Sequence, residues 1–186
     1  MLGEPRLNVY VLDSDISPRL RERLRAQVQT AVRTLPRWTF GLLTIRMQEL
    51  GVTGLTLVVE PTPPVEDVRP LSLGDIEGRP AARLRPRLSG ESIDWPQDPR
   101  YLAAKAVAFL AAPAADSPFW QRWADALEAD HLREEAANSS PSWRDETDAG
   151  LLVEMFAAYA LRDGHQRWSD LPAVHAFLHE WRDESA

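Results

Sequence analysis

Three groups of residues in the chain carry enough chemistry to be read as sites. His175 and His179 stand four residues apart with Glu180 beside them. On a helix, that spacing puts two imidazoles on one face, as a metal ion requires. A zinc centre needs a third protein ligand. Ala176 stands where a hydrolytic site would carry its glutamate base. The remaining histidines, His131 and His165, lie in polar stretches and can join the pair only through the fold. The expectation is therefore no bound metal and no cofactor: a terminal helix with Val174, Phe177, Leu178 and Trp181 on its core side. A metal-dependent enzyme using His175 and His179 is the alternative.

The second group is basic. Arg83, Arg85 and Arg87 alternate with Leu84, Pro86 and Leu88. On a strand, alternation lines three guanidiniums along one face, and Arg79 and Arg100 extend the patch. Arginine forks bind phosphates and carboxylates bidentately, so an anion-binding face over Arg79, Arg83, Arg85 and Arg87 is one reading. The other is a solvated edge protected by charge and proline, with Glu77, Glu91 or Asp94 as ion-pair partners; it is the one expected. The third group is sparse. Leu151 to Leu161 is apolar at nearly every position except Glu154. A carboxylate there is costly unless it is paired, protonated or bound to a metal. Lys105, the only lysine of the chain, sits in the equally apolar stretch Leu102 to Leu110. Elsewhere Gly51-Val52-Thr53-Gly54 is too short for a phosphate loop, and no Gly-x-Ser-x-Gly elbow is present.

The elements that must position these residues follow from periodicity and punctuation. Leu7 to Leu12 alternates as a strand. Ser17-Pro18 opens a helix carrying Leu20, Leu24, Val28, Ala31, Val32 and Leu35 at helical spacing, which stops before Pro36. Leu42 to Met47 and Leu55 to Glu60 read as strands, joined through Gly51 and Gly54. Pro61 to Pro70 reads as a surface loop. Ile76 to Leu88 contains an edge strand, since Pro80 and Pro86 suit no central ladder. From Asp98 onward the chain reads as helical. Helices span 99–112, 118–135 and 148–162, and a polar connection covers 137–146. The last helix runs from Leu171 to Arg182, capped by Ser169 or Asp170. Strands mixed with one helix, then helices only, is the α+β order, on a single domain of 186 residues.

Composition narrows the function classes. The net charge of −7 disfavours nucleic acid and anionic membrane as partners. With no cysteine, disulfides, thiolate metal sites and cysteine nucleophiles are excluded. No apolar run approaches a membrane span, and Met1 to Pro5 carries no signal core, so the expected address is cytoplasmic. Arginine in place of lysine, together with many alanines, suggests a GC-rich bacterial genome.

The segment Leu151 to Leu161, with Glu154 flanked by Leu, Phe and Ala, resembles the second ligand helix of glutamate-type zincins, the minimal zinc metallopeptidases. Pro172-Ala173-Val174-His175-Ala176-Phe177-Leu178 is similar to the proline-started helix that follows in that family. The resemblance implies a zincin-like fold in which a strand, a helix and a sheet with an edge strand precede the active helix; another small α+β sandwich is the alternative. The family's active helix carries His-Glu-x-x-His. The matching stretch here places Ala104 and Ala108 at the two histidines and Lys105 at the glutamate base. All three catalytic groups are replaced, and only Glu154 remains. What the resemblance implies is a non-catalytic protein that binds a peptide or protein partner along the edge strand. It further implies that 99–112 packs on the helix of Glu154 with Ala104 and Ala108 facing it. Lys105 then pairs with Glu154 in place of the metal.

Overall fold

The computed structural model describes residues 6–12, 16–63, 69–76, 78–134, 147–162 and 168–185. Strand β1 (Arg6–Val11) turns Leu7, Val9 and Val11 toward the core. Helix α1 (Pro18–Arg33) begins where the Ser17 hydroxyl accepts from the Leu20 N–H at 3.2 Å. It buries Leu20, Leu24, Val28, Ala31 and Val32, and Leu35 just beyond its end is buried too. The run Leu42 to Met47, expected as a strand, is instead helical, within α2 (Arg37–Leu50). Its apolar residues are scattered around the helix, so neither a period of 2 nor one of 3.6 shows in them. Gly51 closes α2 in the left-handed conformation at φ 62°, which glycine adopts without a Cβ penalty.

Strands β2 (Gly54–Val59), β3 (Leu71–Ile76) and β4 (Arg79–Leu84) join β1 in the order β1-β2-β4-β3. β1, β2 and β4 run parallel, and β3 is antiparallel to β4. The expected edge strand over Ile76 to Leu88 is thus corrected. β4 lies inside the sheet, and β3 is the strand at the edge. Backbone direction explains why β4 tolerates Pro80. The Leu84 carbonyl accepts from Glu60 N–H at 2.9 Å, while Arg85 N–H donates to the Pro70 carbonyl at 2.8 Å. Even-numbered residues of β4 therefore face β2, and odd-numbered ones face β3. The missing Pro80 N–H would point toward β2 one residue before their pairing starts at Thr56 and Ala81, so no ladder bond is lost. Beyond Pro86 a hairpin of β5 (Arg87–Ser89) and β6 (Ser92–Asp94) turns at Gly90. It docks on α1 through Arg23 to the Glu91 carbonyl (3.0 Å) and Trp95 to Gln27 (2.9 Å).

The two faces of the larger sheet differ. Val9, Leu57 and Ala82 share a level on the inner face and belong to the core. Tyr10, Val58, Arg83 and Ser72 share the next level, on the outer face. Helices α3 (Pro99–Ala111), α4 (Pro118–Ala129), α5 (Asp148–Ala160) and α6 (Pro172–Asp183) build the other half. α3 packs against α1, α2, α5 and strands β3 and β4. A helix enclosed this way must be apolar on all sides, and nine of its residues are buried. The rings of Phe119, Trp123, Phe156, Phe177 and Trp181 join α4, α5 and α6, with centroids about 5 Å apart. The architecture is α+β. Among the described residues no helix is long and apolar enough to cross a membrane. The polar connection expected at 137–146 lies outside the described residues, as do Asp13, Asp15 and Gly164.

Three further helices start on a side-chain cap as α1 does: Asp98, Ser117 and Thr147 each accept from a first-turn N–H. The last cap is corrected. Ser169 and Asp170 belong to a short 3-10 turn (Trp168–Asp170) and do not cap α6. Asp130, just past α4, reaches across instead, and its carboxylate accepts from Ala173 N–H at 3.1 Å and Val174 N–H at 2.7 Å. An anion at a helix N-terminus satisfies otherwise orphaned donors and complements the dipole. Asp130→Ala should lower the unfolding free energy by about 1–2 kcal/mol, whereas Asp170→Ala should stay within about 0.5 kcal/mol. Urea denaturation of the two variants checks this, and equal losses would refute the cross-helix cap.

Candidate functional site

Lys105 is 6 % exposed, in the middle of the enclosed helix α3. Its ammonium needs acceptors there, since an unpaired buried charge is strongly disfavoured. Three groups meet it. The Glu154 carboxylate on α5 forms a salt bridge with it. Gln97, in the loop between β6 and α3, accepts from its Nζ at 3.0 Å. The Tyr101 ring, one helical turn earlier, lies 5.0 Å below the ammonium, within cation–π range. The Tyr101 hydroxyl also lies 3.5 Å from the Glu154 backbone carbonyl, so both residues of this stripe touch α5. Ala104 and Ala108 belong to the same i, i+3, i+4, i+7 stripe and are fully buried. Their small side chains suit the close approach of α3 and α5.

The pair is not symmetric. The Glu154 side chain keeps 23 % of its surface and the Lys105 side chain 8 %, so one end of the bridge is more open to water than the other. Gln97 and Tyr101 complete the cluster, and neither is among the residues singled out from sequence. Tyr101 is legible in principle, four residues before Lys105 on the same helical face. Gln97 leaves no such signal, because a loop brings it in. At the start of α3 the Arg100 guanidinium holds the Asp98 carboxyl below its ordinary range, chiefly through their side-chain hydrogen bond. Arg100 is thus occupied at the cap and is not part of an arginine face.

The other candidates are separated by the fold. β4 ends at Leu84, so Arg83, Arg85 and Arg87 do not share one strand face. Arg83 lies in β4, Arg85 forms an ion pair with Glu60 at 2.9 Å, and Arg87 belongs to β5. Arg79 starts β4 on the same face as Arg83. Of the expected ion-pair partners, Glu77 lies outside the described residues, and Glu91 offers Arg23 only its backbone carbonyl. His175 packs against Tyr159 and Trp168, with ring centroids at 5.6 and 5.3 Å. His179 lies further along α6, its Nε2 2.8 Å from an Arg182 nitrogen and its Nδ1 3.2 Å from Asp183. Both ring nitrogens of His179 are therefore engaged by neighbours on the same helix. His131 sits 3.8 Å from Glu134, and His165 lies outside the described residues. Among the described residues no group of three or more His, Cys, Asp or Glu is placed to hold a metal ion.

Comparison of the chain with protein-family models, with curated proteins and with solved structures gives no match.

Two expectations follow from this geometry. Glu154→Gln strands the more deeply buried ammonium and should cost about 3 kcal/mol, near the low end for a buried pair. Lys105→Met leaves a carboxylate that still reaches water and should cost less. A double-mutant cycle on unfolding free energy should give a coupling of about 1–2 kcal/mol; a coupling indistinguishable from zero would reduce the pair to the level of a surface bridge. Separately, burial among Trp38, Trp168 and His175 pushes the Tyr159 hydroxyl above its ordinary value of 10.0. A pKa raised by folding means that stability is fully present below the unfolded value and is lost as pH rises through the folded one. Tyr159→Phe should abolish an alkaline absorbance step above pH 10 and flatten the alkaline fall in stability. An unchanged titration curve would contradict this.

Proposed function

We propose that the protein is a non-catalytic, zincin-like binding module that takes an extended peptide segment of a protein partner along the outer edge of β3. The observation that carries this reading is the Lys105–Glu154 pair joining α3 to α5. These are the positions that the zincin resemblance assigns to the glutamate base and the remaining metal ligand. An ammonium at this point neutralises the carboxylate and repels a divalent cation, so the pair takes the electrostatic place of a metal. With Ala104 and Ala108 at the two imidazole positions, no group remains there to hold zinc or to activate water.

The sheet supplies the binding element. Among the described residues no strand pairs with the outer side of β3. Ser72, Gly74 and Ile76 lie opposite Arg83, Ala81 and Arg79, the residues of β4 whose backbone faces β3. By alternation, the N–H and C=O groups of Leu71, Leu73 and Asp75 point away from the sheet. An added strand would bond to these groups, as in β-augmentation.

Two measurements test the reading. Incubation with zinc and a quenched random-peptide library should produce no zinc-dependent hydrolysis. A peptide selected from a displayed library should slow amide exchange at Leu73 and Asp75, and Asp75→Pro, which removes one outward donor and leaves the β4 ladder intact, should weaken its binding at least tenfold. Hydrolysis that depends on zinc, or a selected peptide that protects other segments and ignores Asp75→Pro, would overturn it.

A further inference from the structure

The outer face of the sheet carries a groove of about 350 Å³ where the strands begin, bounded by the turn between α2 and β2. That volume is at the lower end for small-molecule sites. Its origin lies in the strand order. Gly54 stands two residues before Thr56, and Arg79 two before Ala81, so they are level across the sheet. The middle strand therefore has no side chain at this level, and a notch opens between β1 and β4. Asn8 and Tyr10 of β1 line one side, Arg79 the other, and Thr53 and Thr56 the turn and the floor.

Three features point to one ligand chemistry. None of the lining residues is acidic, although the chain carries a net charge of −7. The Arg79 side chain has neither an ion pair nor a hydrogen bond among the described residues, whereas Arg85 and Arg100 are tied to carboxylates. Arg83 follows on the same face four residues later, so the local field is positive. The neutral donors around Arg79 are hydroxyls and an amide, and guanidinium plus hydroxyl is a donor set suited to phosphate oxygens. Beside them Tyr10 is 54 % exposed, an unusual exposure for a ring in a strand and one that offers a stacking surface. A phosphate alone leaves most of 350 Å³ unfilled, so the groove has room for a planar body beside it.

We infer that this groove is a binding site for a small phosphate ester with a planar body, of mononucleotide size, with Arg79 on the phosphate and Tyr10 against the ring. The site is independent of the β3 edge and of the Lys105–Glu154 pair. A long polyanion is disfavoured by the overall negative charge.

Isothermal titration of the full chain with AMP, ribose 5-phosphate and adenosine tests the assignment. AMP should bind saturably and more tightly than either fragment. Arg79→Gln should weaken AMP at least tenfold, with Arg79→Lys intermediate because it keeps the charge and loses the fork. Tyr10→Ser should weaken AMP by about fivefold or more and leave ribose 5-phosphate unchanged. Arg37→Gln, at the opposite end of α2 from the groove, is the charge-matched control and should have no effect. Thermal melts of each variant verify folding. No saturable AMP binding in the millimolar range, or AMP affinity indifferent to Arg79→Gln, would overturn the site. Equal affinity for AMP and ribose 5-phosphate would overturn the planar-body class.

Discussion

A single ammonium buried in an enclosed helix constrains how the two halves of this molecule meet. α3 touches three helices and the sheet, so most of its length tolerates only apolar side chains. Lys105 is the exception, and its charge must be met within a few ångströms by the groups around it. Glu154 comes from α5, Gln97 from the loop after β6, and the Tyr101 ring from the same helix. The depth and rotation of α5 against α3 are thereby fixed more tightly than alanine packing alone would fix them. Apolar contacts tolerate small slips, whereas a buried ion pair does not. Removing either partner alone strands the other charge, whereas a well-fitted apolar pair would match the net stability.

The sheet divides the remaining surface into unlike parts. One face is sealed by α1 and α3, and the other carries Tyr10 and Arg83 outward. Its two rims differ as well. β1 is a parallel edge at one side, and β3 is an antiparallel edge at the other. The chain leaves the antiparallel edge for β4 by a reversal through Gly78, at φ 74°. That reversal leaves β4 inside the sheet, although its sequence, with Pro80 and alternating arginines, looks like a rim.

That appearance shows where sequence reading succeeded and where it stopped. α1 was legible because Leu20, Leu24 and Val28 follow one stripe and Ser17-Pro18 marks its start. α2 was not, because its apolar residues form no stripe and Leu42 to Met47 is short enough for either period. β3 left no mark: Leu71 to Ile76 holds a glycine and an aspartate and one β-branched residue, a poor strand by composition. Its pairing with β4 overrode that composition. The Lys105–Glu154 contact was legible because each residue is the lone charge in an apolar stretch, Leu102 to Leu110 and Leu151 to Leu161, and the zincin resemblance implied that the two face each other. The Asp130 cap was hidden, being a contact across more than 40 residues between a helix end and a helix start. The outer-face groove was hidden for the same reason, since β1, β2, β4 and a turn each supply only a part of it.

The burial of Lys105 also has a consequence for handling the protein. No other side-chain primary amine occurs in these 186 residues. Amine-reactive reagents, which modify the surface lysines of most proteins within minutes, find this one sealed between α3 and α5. The side-chain acylation rate therefore measures how often those two helices part. Mass spectrometry of a single lysine peptide becomes a clock for local opening at the centre of the fold, read without mutation and without a label elsewhere on the surface.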